Sequence, residues 1–384
     1  MVHISERELQ LPDAIIGKLQ EIAAEHKEII SLGIGEPDFI TPKPILSYVN
    51  KIINKSTHYS SPQGVKELRE AIARKLKKDN KINADPDGVI VTCGSQEALF
   101  IAILSSLDPS EQVIVQNPGY LGYIPAIELA DATPIHIKLE EEDNFEINPD
   151  RIKEAVDKKK TKAIILNTPA NPTGNVLSKK TLEKIADIAV ENDLYIFSDE
   201  AYEKLVYDKK HISIGSLNGM EKYIVTFQTF SKSYAMCGFR LGYAHGPKEL
   251  IKAMSKSSHY VTLCAPTISQ LLGVKALSLP NKYIQSMVNE YNRRRKFIVK
   301  RLNEIGLKTN MPNGAFYTFS NIKHITNNSM KFSQDLLKKA KVAVVPGSEF
   351  VKYGEGYIRC SYAADIKLIG KAMDRIEKFV KCIK

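Results

Sequence analysis

From about residue 88, short apolar runs alternate with longer segments in which apolar residues recur every three or four positions. The first pattern is typical of buried strands, and the second of helices that cover a sheet. Their alternation predicts an α/β fold with a mostly parallel sheet and flanking helices as connections. Seven runs are predicted as its strands, at residues 89–93, 112–116, 134–139, 162–167, 194–198, 223–227 and 241–245.

The helical pattern is clearest at residues 65–78, 97–107, 282–305 and 365–383, and an amphipathic helix is also expected at 13–23. Strand-like runs at 314–319, 342–347 and 356–362 lie between the last helices and predict a smaller α+β layer. A chain of 384 residues is long for one core. We therefore expect a large domain at 48–280 and a small domain at 281–384, with 1–47 as an N-terminal arm that joins the small domain in part.

Composition places the chain among ordinary water-soluble proteins, with 43% hydrophobic and 26% charged residues. No apolar run approaches the roughly 20 residues that cross a bilayer, and the polar start does not resemble a signal peptide, so we expect a cytoplasmic protein without a membrane partner. The net charge of +10 comes from lysines mixed with glutamates on helical faces, which favours solvated helices over nucleic-acid binding. The five scattered cysteines favour neither a zinc site nor a disulfide framework, so no metal is expected.

One lysine stands in an apolar, hydroxyl-rich stretch at residues 226–243. Burial of Lys232 would favour its neutral amine, the form that Schiff-base chemistry with a carbonyl requires. The hydroxyls of Thr229 and Ser231 and the forked cation of Arg240 suit a phosphate dianion. Phosphate and aldehyde together suggest pyridoxal phosphate. The alternative from these residues alone is a lysine that extends from a strand end and an arginine in a surface ion pair.

Three predicted strand ends carry further candidates, since ligands of α/β sheets bind at the carboxyl ends of strands. The turn Gly94–Ser95–Gln96 precedes a helix, whose free N–H groups attract anions. Tyr120 follows the second strand, and Asn171 lies in a turn that two X-Pro steps make rigid. A turn without a ligand, a tyrosine packed at the sheet rim and a common Asn-Pro turn are the alternatives.

Two charged residues need partners if they are buried. Asp199 ends a buried strand, where an isolated carboxylate is costly to desolvate. Arg359 stands among apolar strand residues, and either a ligand anion or an internal salt bridge would satisfy it. Glu200 is expected to be solvated or structural. The glycines at 33 and 35 indicate either close approach of the backbone to a ligand or a plain loop.

The 226–243 stretch resembles the S-K-x-(x)n-G-x-R-x-G signature of the aspartate aminotransferase family, the class I and II pyridoxal-phosphate transferases of fold type I. Further motifs follow in family order over essentially the whole chain, and the nearest likeness is to archaeal aspartate and aromatic aminotransferases. The resemblance implies pyridoxal phosphate as cofactor and Lys232 as its covalent attachment and proton carrier. The cofactor contacts that it implies are Tyr59, Gly94, Ser95, Gln96, Tyr120, Asn171, Asp199, Tyr202, Thr229, Ser231, Lys232 and Arg240.

The resemblance also assigns roles to individual residues. Asp199 would bond the pyridinium nitrogen, Tyr202 and Asn171 the phenolate oxygen, and the ring of Tyr120 would stack on the cofactor. Gly35, Asn171 and Arg359 would form the substrate site, with Arg359 bidentate to the α-carboxylate. Tyr59 would reach the phosphate of a neighbouring subunit, which implies a homodimer.

The predicted activity is transfer of an amino group from an L-amino acid to a 2-oxo acid, with 2-oxoglutarate as the expected acceptor. Aspartate-preferring relatives can carry a lysine in the turn where this chain has Gln96, which leaves the expected donor open among aspartate, aromatic and similar amino acids. Thr229 stands where many relatives have serine. A C–S lyase or other eliminating enzyme on the same fold is the close alternative, and a non-catalytic module that senses pyridoxal phosphate is the alternative of another class.

Overall fold

The computed structural model describes residues 3–12, 17, 21–22, 25–217 and 219–383. The helix expected at 13–23 lies largely outside these described residues. Twelve strands form within the described part of the chain: β1 (Ile30–Ser31), β2 (Val89–Thr92), β3 (Gln112–Asn117), β4 (Thr133–Lys138), β5 (Thr161–Asn167), β6 (Tyr195–Asp199), β7 (Ile224–Thr229), β8 (Gly242–His245), β9 (Tyr317–Asn321), β10 (Val342–Ala343), β11 (Val345–Pro346) and β12 (Tyr357–Ser361).

Fourteen α-helices have both ends within the described residues: α1 (Glu6–Gln10), α2 (Lys43–Leu46), α3 (Val49–Ile52), α4 (Lys66–Lys75), α5 (Ser95–Ser106), α6 (Tyr123–Leu129), α7 (Pro149–Ala155), α8 (Lys179–Glu191), α9 (Phe230–Ser233), α10 (Lys248–Val261), α11 (Thr267–Leu277), α12 (Lys282–Ile305), α13 (Ser329–Ala340) and α14 (Ile366–Ile383). The predicted bounds of α12 are reproduced, and the other predicted helices shift by a few residues at their ends. None of these described helices is both long and apolar enough to span a membrane.

The central sheet has seven strands in the order β2-β8-β7-β6-β5-β3-β4. Strand β8 runs antiparallel to both of its neighbours, and the remaining pairs are parallel. All seven strands were predicted. Because β8 alone is reversed, the carboxyl ends of the other six strands and the amino end of β8 lie at one edge of the sheet. This edge carries the candidate residues.

Helices cover both faces of the central sheet, as a parallel sheet requires. Along β5, Ile164 and Leu166 belong to one hydrophobic cluster, whereas Ala163 and Ile165 belong to the cluster on the opposite face. The alternation follows from the two-residue period of a strand. Both faces are apolar, which explains why this strand reads as a continuous hydrophobic run in the sequence.

A smaller layer is formed by an antiparallel sheet in the order β11-β12-β9 and by the parallel pair of β1 and β10. Its cluster combines side chains from near both ends of the chain, including Leu32, Tyr291 and Met373. The expected smaller α+β part of the fold is therefore present. The domain boundaries after residues 47 and 280 stay a prediction.

Candidate active site

A cavity of about 390 Å³ lies at the edge of the central sheet where the six strands end. It brings together thirteen of the fourteen residues that the sequence predicts for the site. They are Gly35, Gly94, Ser95, Gln96, Tyr120, Asn171, Asp199, Tyr202, Thr229, Ser231, Lys232, Arg240 and Arg359. The fourteenth, Tyr59, does not line this cavity, and its side chain is 83% exposed.

Lys232 projects from α9, which starts directly after β7. The hydroxyl of Thr229 caps this short helix by accepting a hydrogen bond from the N–H of Ser231 at 3.2 Å. The Lys232 amine donates to the carbonyl oxygen of Gly35 at 2.6 Å. It lies 5.9 and 5.8 Å from the ring centres of Tyr202 and Phe316. The amine is thus fixed inside the cavity, between aromatic rings and a backbone carbonyl.

Asp199 ends β6 and presents its carboxylate to the cavity. The hydroxyl of Tyr123 donates to Oδ2 at 2.7 Å, and the N–H of Ala201 donates to Oδ1 at 3.1 Å. Burial raises the pKa of Asp199, while these two hydrogen bonds act in the opposite direction. Two donors therefore orient a desolvated acid that can still accept a proton-bearing nitrogen. Tyr123 was not among the predicted site residues, because its only signal in the sequence is its position after the second predicted strand.

Arg359 lies on β12 and is only 1% exposed. Its Nη1 donates to Oδ1 of Asn171 at 3.0 Å, and its Nη2 donates to the carbonyl of Gly33 at 2.6 Å. Its Nε is buried and has no hydrogen-bond partner in the described structure. No ion pair joins it to an acidic side chain among the described residues, so the internal salt bridge is not what satisfies it. A buried guanidinium with a free donor is suited to an incoming carboxylate.

Asn171 owes its position to the turn after β5. Its backbone N–H donates to Oδ1 of Asn167 at 2.7 Å, which leaves the side-chain amide free to face Arg359. Tyr202 forms a hydroxyl–hydroxyl bond of 2.8 Å with Tyr317, a cavity residue that the sequence analysis treated only as part of a strand. Burial raises the pKa of Tyr202, so its hydroxyl stays protonated and can donate.

The phosphate-type groups converge beside the N-terminus of α5. Gly94 precedes this helix with a φ of 90°, and no side chain caps the free N–H groups there. A Cβ at this glycine would lie 2.7 Å from Nη2 of Arg240, so only glycine lets the arginine approach so closely. The guanidinium of Arg240 is oriented by the carbonyls of Cys237 (3.2 Å) and Cys93 (3.3 Å). A cation, free amides and hydroxyls here form a cradle for a dianion.

Tyr120 and Gln96 lie between the cradle and the acid. The Tyr120 hydroxyl donates to Oε1 of Gln96 at 3.2 Å, and burial raises the pKa of Tyr120 to about 12. A neutral aromatic ring is therefore available to stack on a planar ligand. Together with the amine, the carboxylate and the dianion cradle, it fits pyridoxal phosphate in each of the functional groups of that cofactor.

Comparison with known proteins agrees with this chemistry. The model of the family "Aminotransferase class I and II" matches residues 27–376. An aspartate aminotransferase of Pyrococcus abyssi is 47% identical over 371 residues, 95% of each chain. The aromatic-amino-acid aminotransferase 2 of Thermococcus litoralis is 44% identical over 383 residues, 98% of each chain.

A solved structure shows the same likeness in three dimensions. The aromatic aminotransferase from Pyrococcus horikoshii has a TM-score of 0.90 and 45% identity, over 94% of this chain and 98% of that one. The predicted family, fold type I architecture and cofactor are confirmed. The chain belongs to the class I and II aminotransferases and is a pyridoxal-phosphate-dependent transaminase.

Proposed function

We propose that the enzyme moves the amino group of an L-amino acid, aspartate or an aromatic one, to a 2-oxo acid, with 2-oxoglutarate as acceptor. One observation carries the proposal. The Lys232 amine donates a hydrogen bond to the carbonyl of Gly35, and the Arg359 guanidinium donates one to the carbonyl of Gly33. These two glycines are two residues apart on one loop. Two residues of extended chain span about 7 Å at most. One amino acid can therefore present its carboxylate to Arg359 and its Cα to Lys232.

The roles of the remaining side chains follow from their contacts. Pyridoxal phosphate, when bound, supplies an aldehyde and a ring that takes up the electron pair of the Cα–H bond. The amine of Lys232 removes and returns the Cα proton as general base and acid. Asp199 holds a proton on the ring nitrogen, and Tyr202 and Asn171 donate to the ring oxygen. Arg359 orients the substrate carboxylate.

The breadth of the donor proposal rests on two observations. Relatives named for aspartate and for aromatic amino acids match this chain almost equally well. In the cavity, Gln96 offers an amide where a lysine would offer a charge for a distal carboxylate, and Leu99 adds apolar lining. Both favour tolerance of uncharged side chains, and aspartate remains a candidate because the amide can still donate a hydrogen bond.

We further propose a cytoplasmic homodimer. Tyr59 is 83% exposed outside the cavity of its own chain, which suits a side chain that serves a neighbouring site. All five cysteines are free thiols, the state that a reducing compartment maintains. A large domain at 48–280 and a small domain at 1–47 plus 281–384 would place the cavity near the junction between them.

A donor panel tests the function. Purified holoenzyme is mixed with 2-oxoglutarate and aspartate, alanine, phenylalanine, tyrosine or kynurenine, and the oxo-acid products are quantified. We expect glutamate and the matching oxo acid in equal amounts with aspartate or the aromatic donors. Lys232→Ala should abolish the reaction, whereas Lys222→Ala, at an exposed lysine, should leave it unchanged. Pyruvate, ammonia and a thiol formed from cystathionine without any added oxo acid would instead identify an eliminating enzyme.

A further inference from the structure

The loop of residues 33–41 borders the cavity without backbone support. Within the described chain it takes part in no backbone–backbone hydrogen bond. Such bonds end at Leu32, whose carbonyl accepts from the N–H of Ser361 at 2.6 Å, and resume at Pro42, whose carbonyl accepts from Ile45 at 2.8 Å. The position of the intervening segment therefore depends on side-chain contacts.

Besides the local bond from the N–H of Gly33 to Oγ of Ser31 (3.3 Å), four side-chain hydrogen bonds connect this loop to distant parts of the described structure. They are Lys232 Nζ to Gly35 O (2.6 Å), Arg359 Nη2 to Gly33 O (2.6 Å), Arg294 Nη1 to Asp38 Oδ1 (2.8 Å) and Thr41 Oγ1 to Ala235 O (2.6 Å). The first two donors have a second task in the proposed reaction, at the cofactor and at the substrate carboxylate. During turnover the loop then relies on the other two contacts.

Of those two, the Arg294 contact is the more elaborate. This guanidinium on α12 is 5% exposed, and its Nε also donates to Glu290 at 2.8 Å. Its centre lies 5.3 Å from the ring of Phe39 in the loop and 5.7 Å from the ring of Tyr291. The rings of Phe39 and Tyr291 pack edge to face at 5.3 Å. The arginine thus holds both a charged and an aromatic side chain of the loop.

Its neighbour Arg293 provides an internal comparison. Arg293 also bonds Glu290, at 2.8 Å from both Nε and Nη2, but its side chain is 59% exposed and contacts no residue of the loop. The two arginines share their charge and their helix, and they differ in burial and in their reach to Asp38. A substitution at 293 therefore reproduces the loss of one positive charge without the loss of the loop contact.

We infer that Arg294 and Asp38 form a clamp that positions the 33–41 loop over bound substrate, with Arg294 as a positioning residue. The inference rests on the proposed substrate roles of Gly35 and Arg359. The guanidinium of Arg294 is buried, binds Asp38 and Glu290 with different nitrogens and stacks on a ring, so it restricts the loop more than an arginine in a fully exposed pair does. The clamp does not touch Lys232 or Asp199, so it acts on substrate binding and leaves cofactor attachment alone.

The test compares Arg294→Gln, Asp38→Asn, the double variant and Arg293→Gln as holoenzymes. Arg294→Gln and Asp38→Asn should each raise KM for the amino acid and the oxo acid about tenfold, with kcat changed by less than about twofold. The double variant should be no worse than Arg294→Gln, because both changes break one contact. The KM of Arg294→Lys should lie between the values of wild type and Arg294→Gln, because an ammonium keeps the charge but lacks the planar fork of a guanidinium. The cofactor absorbance should match wild type in all variants.

Three results would overturn the clamp: unchanged KM in both single variants, an equal rise in Arg293→Gln, or additive effects in the double variant. If Arg294→Gln does not fold, Asp38→Asn decides alone, because Asp38 is a surface loop residue. If wild type transfers no amino group, the proposed function fails, yet the clamp is still tested. The dissociation constants of two unreactive carboxylates, maleate and 3-phenylpropionate, then replace KM. If neither ligand binds more weakly to Arg294→Gln and Asp38→Asn than to wild type, the clamp is contradicted.

Discussion

Arg359 donates a hydrogen bond from Nη1 to Oδ1 of Asn171 across 3.0 Å, while its second terminal nitrogen donates to Gly33. Both acceptors are neutral oxygens. A bound carboxylate would offer the same fork a negative charge, and bonds between a guanidinium and a carboxylate are among the strongest hydrogen bonds in proteins. The arginine is therefore pre-oriented by contacts that a substrate carboxylate can improve.

Replacement of Arg359 by lysine should reveal how much the fork contributes. An ammonium keeps the charge but cannot bond a carboxylate and Asn171 in the same plane. We expect kcat/KM to fall by about a hundredfold, as the loss of a charged hydrogen bond of about 3 kcal/mol implies. Steady-state kinetics with the best donor measure this. Arg301→Lys, at a surface arginine on α12, is the control and should change kcat/KM little.

Gly94→Ala should weaken cofactor binding by at least about tenfold, because the new Cβ would lie 2.7 Å from Arg240 Nη2. An alanine at the positive φ of Gly94 also adds backbone strain of about 1–3 kcal/mol, which complicates any single comparison. Gly219 has a similar φ of +85° and nothing within 4 Å of its Cβ position. Gly219→Ala carries the strain without the clash, so equal loss of cofactor affinity in both variants, measured by titration of apoenzyme, would contradict the cradle.

Tyr59 should complete the site of the partner subunit. Tyr59→Ala and Lys232→Ala should each be nearly inactive alone. In mixed dimers one site combines an intact lysine from one chain with an intact tyrosine from the other. Unfolding and refolding an equal mixture should restore about one quarter of wild-type activity, since half the dimers are mixed and each has one complete site. No recovery in dimers shown to be mixed would place Tyr59 outside the partner's site.

His245 should make folding stability fall at acidic pH. Burial lowers the pKa of His245 to about 4, with Asp85 acting weakly in the opposite direction. Between that value and about 6.5 the unfolded chain binds a proton that the folded chain does not, so the free energy of unfolding decreases as pH falls through this window. The full loss is about 3 kcal/mol. Urea unfolding at pH 7 and pH 4.5 should show a smaller pH dependence in His245→Gln than in wild type.

The central sheet was predictable because its inner strands, such as β3 and β5, carry apolar residues on both faces. Its strand positions follow from this pattern, and the candidate residues follow from the strand ends. The antiparallel direction of β8 was not predictable, since a short apolar run carries no sign of its orientation. The start of α5 at Ser95, two residues before the predicted start, reflects the uncapped glycine turn that forms the anion cradle.

Ion pairs between residues that are far apart in the sequence could not be predicted either. In the basic run 293–296, Arg293 is exposed, whereas Arg294 and Arg295 are only 5% and 1% exposed. Arg295 donates to Asp208 at 2.7 Å and stacks over Tyr207 at 4.5 Å. Periodicity identifies which positions face inward, but the acceptors come from loops that no local pattern connects to the helix.

Glu200, next to the site residue Asp199, is another residue whose contacts could not be predicted from the sequence. The expectation allowed a solvated or a structural side chain, and the structure shows a fully buried one. Its carboxylate accepts from the hydroxyls of Ser198 (3.0 Å) and Ser213 (2.6 Å) and from the amide of Gln228 (3.0 Å). These donors come from three separate segments. Only the folded arrangement shows that they meet at the Glu200 carboxylate.

The pairing of β1 with β10 has a consequence for biosynthesis. Strands centred near residues 30 and 342 are neighbours, so the segment that bears Gly33 and Gly35 gains its partner only after on the order of 300 further residues have been made. Ribosomes deliver the cofactor lysine long before that pairing can form. A nascent chain is thus able to form its central sheet first. The substrate site can form only after β10 and Arg359 have left the ribosomal exit tunnel.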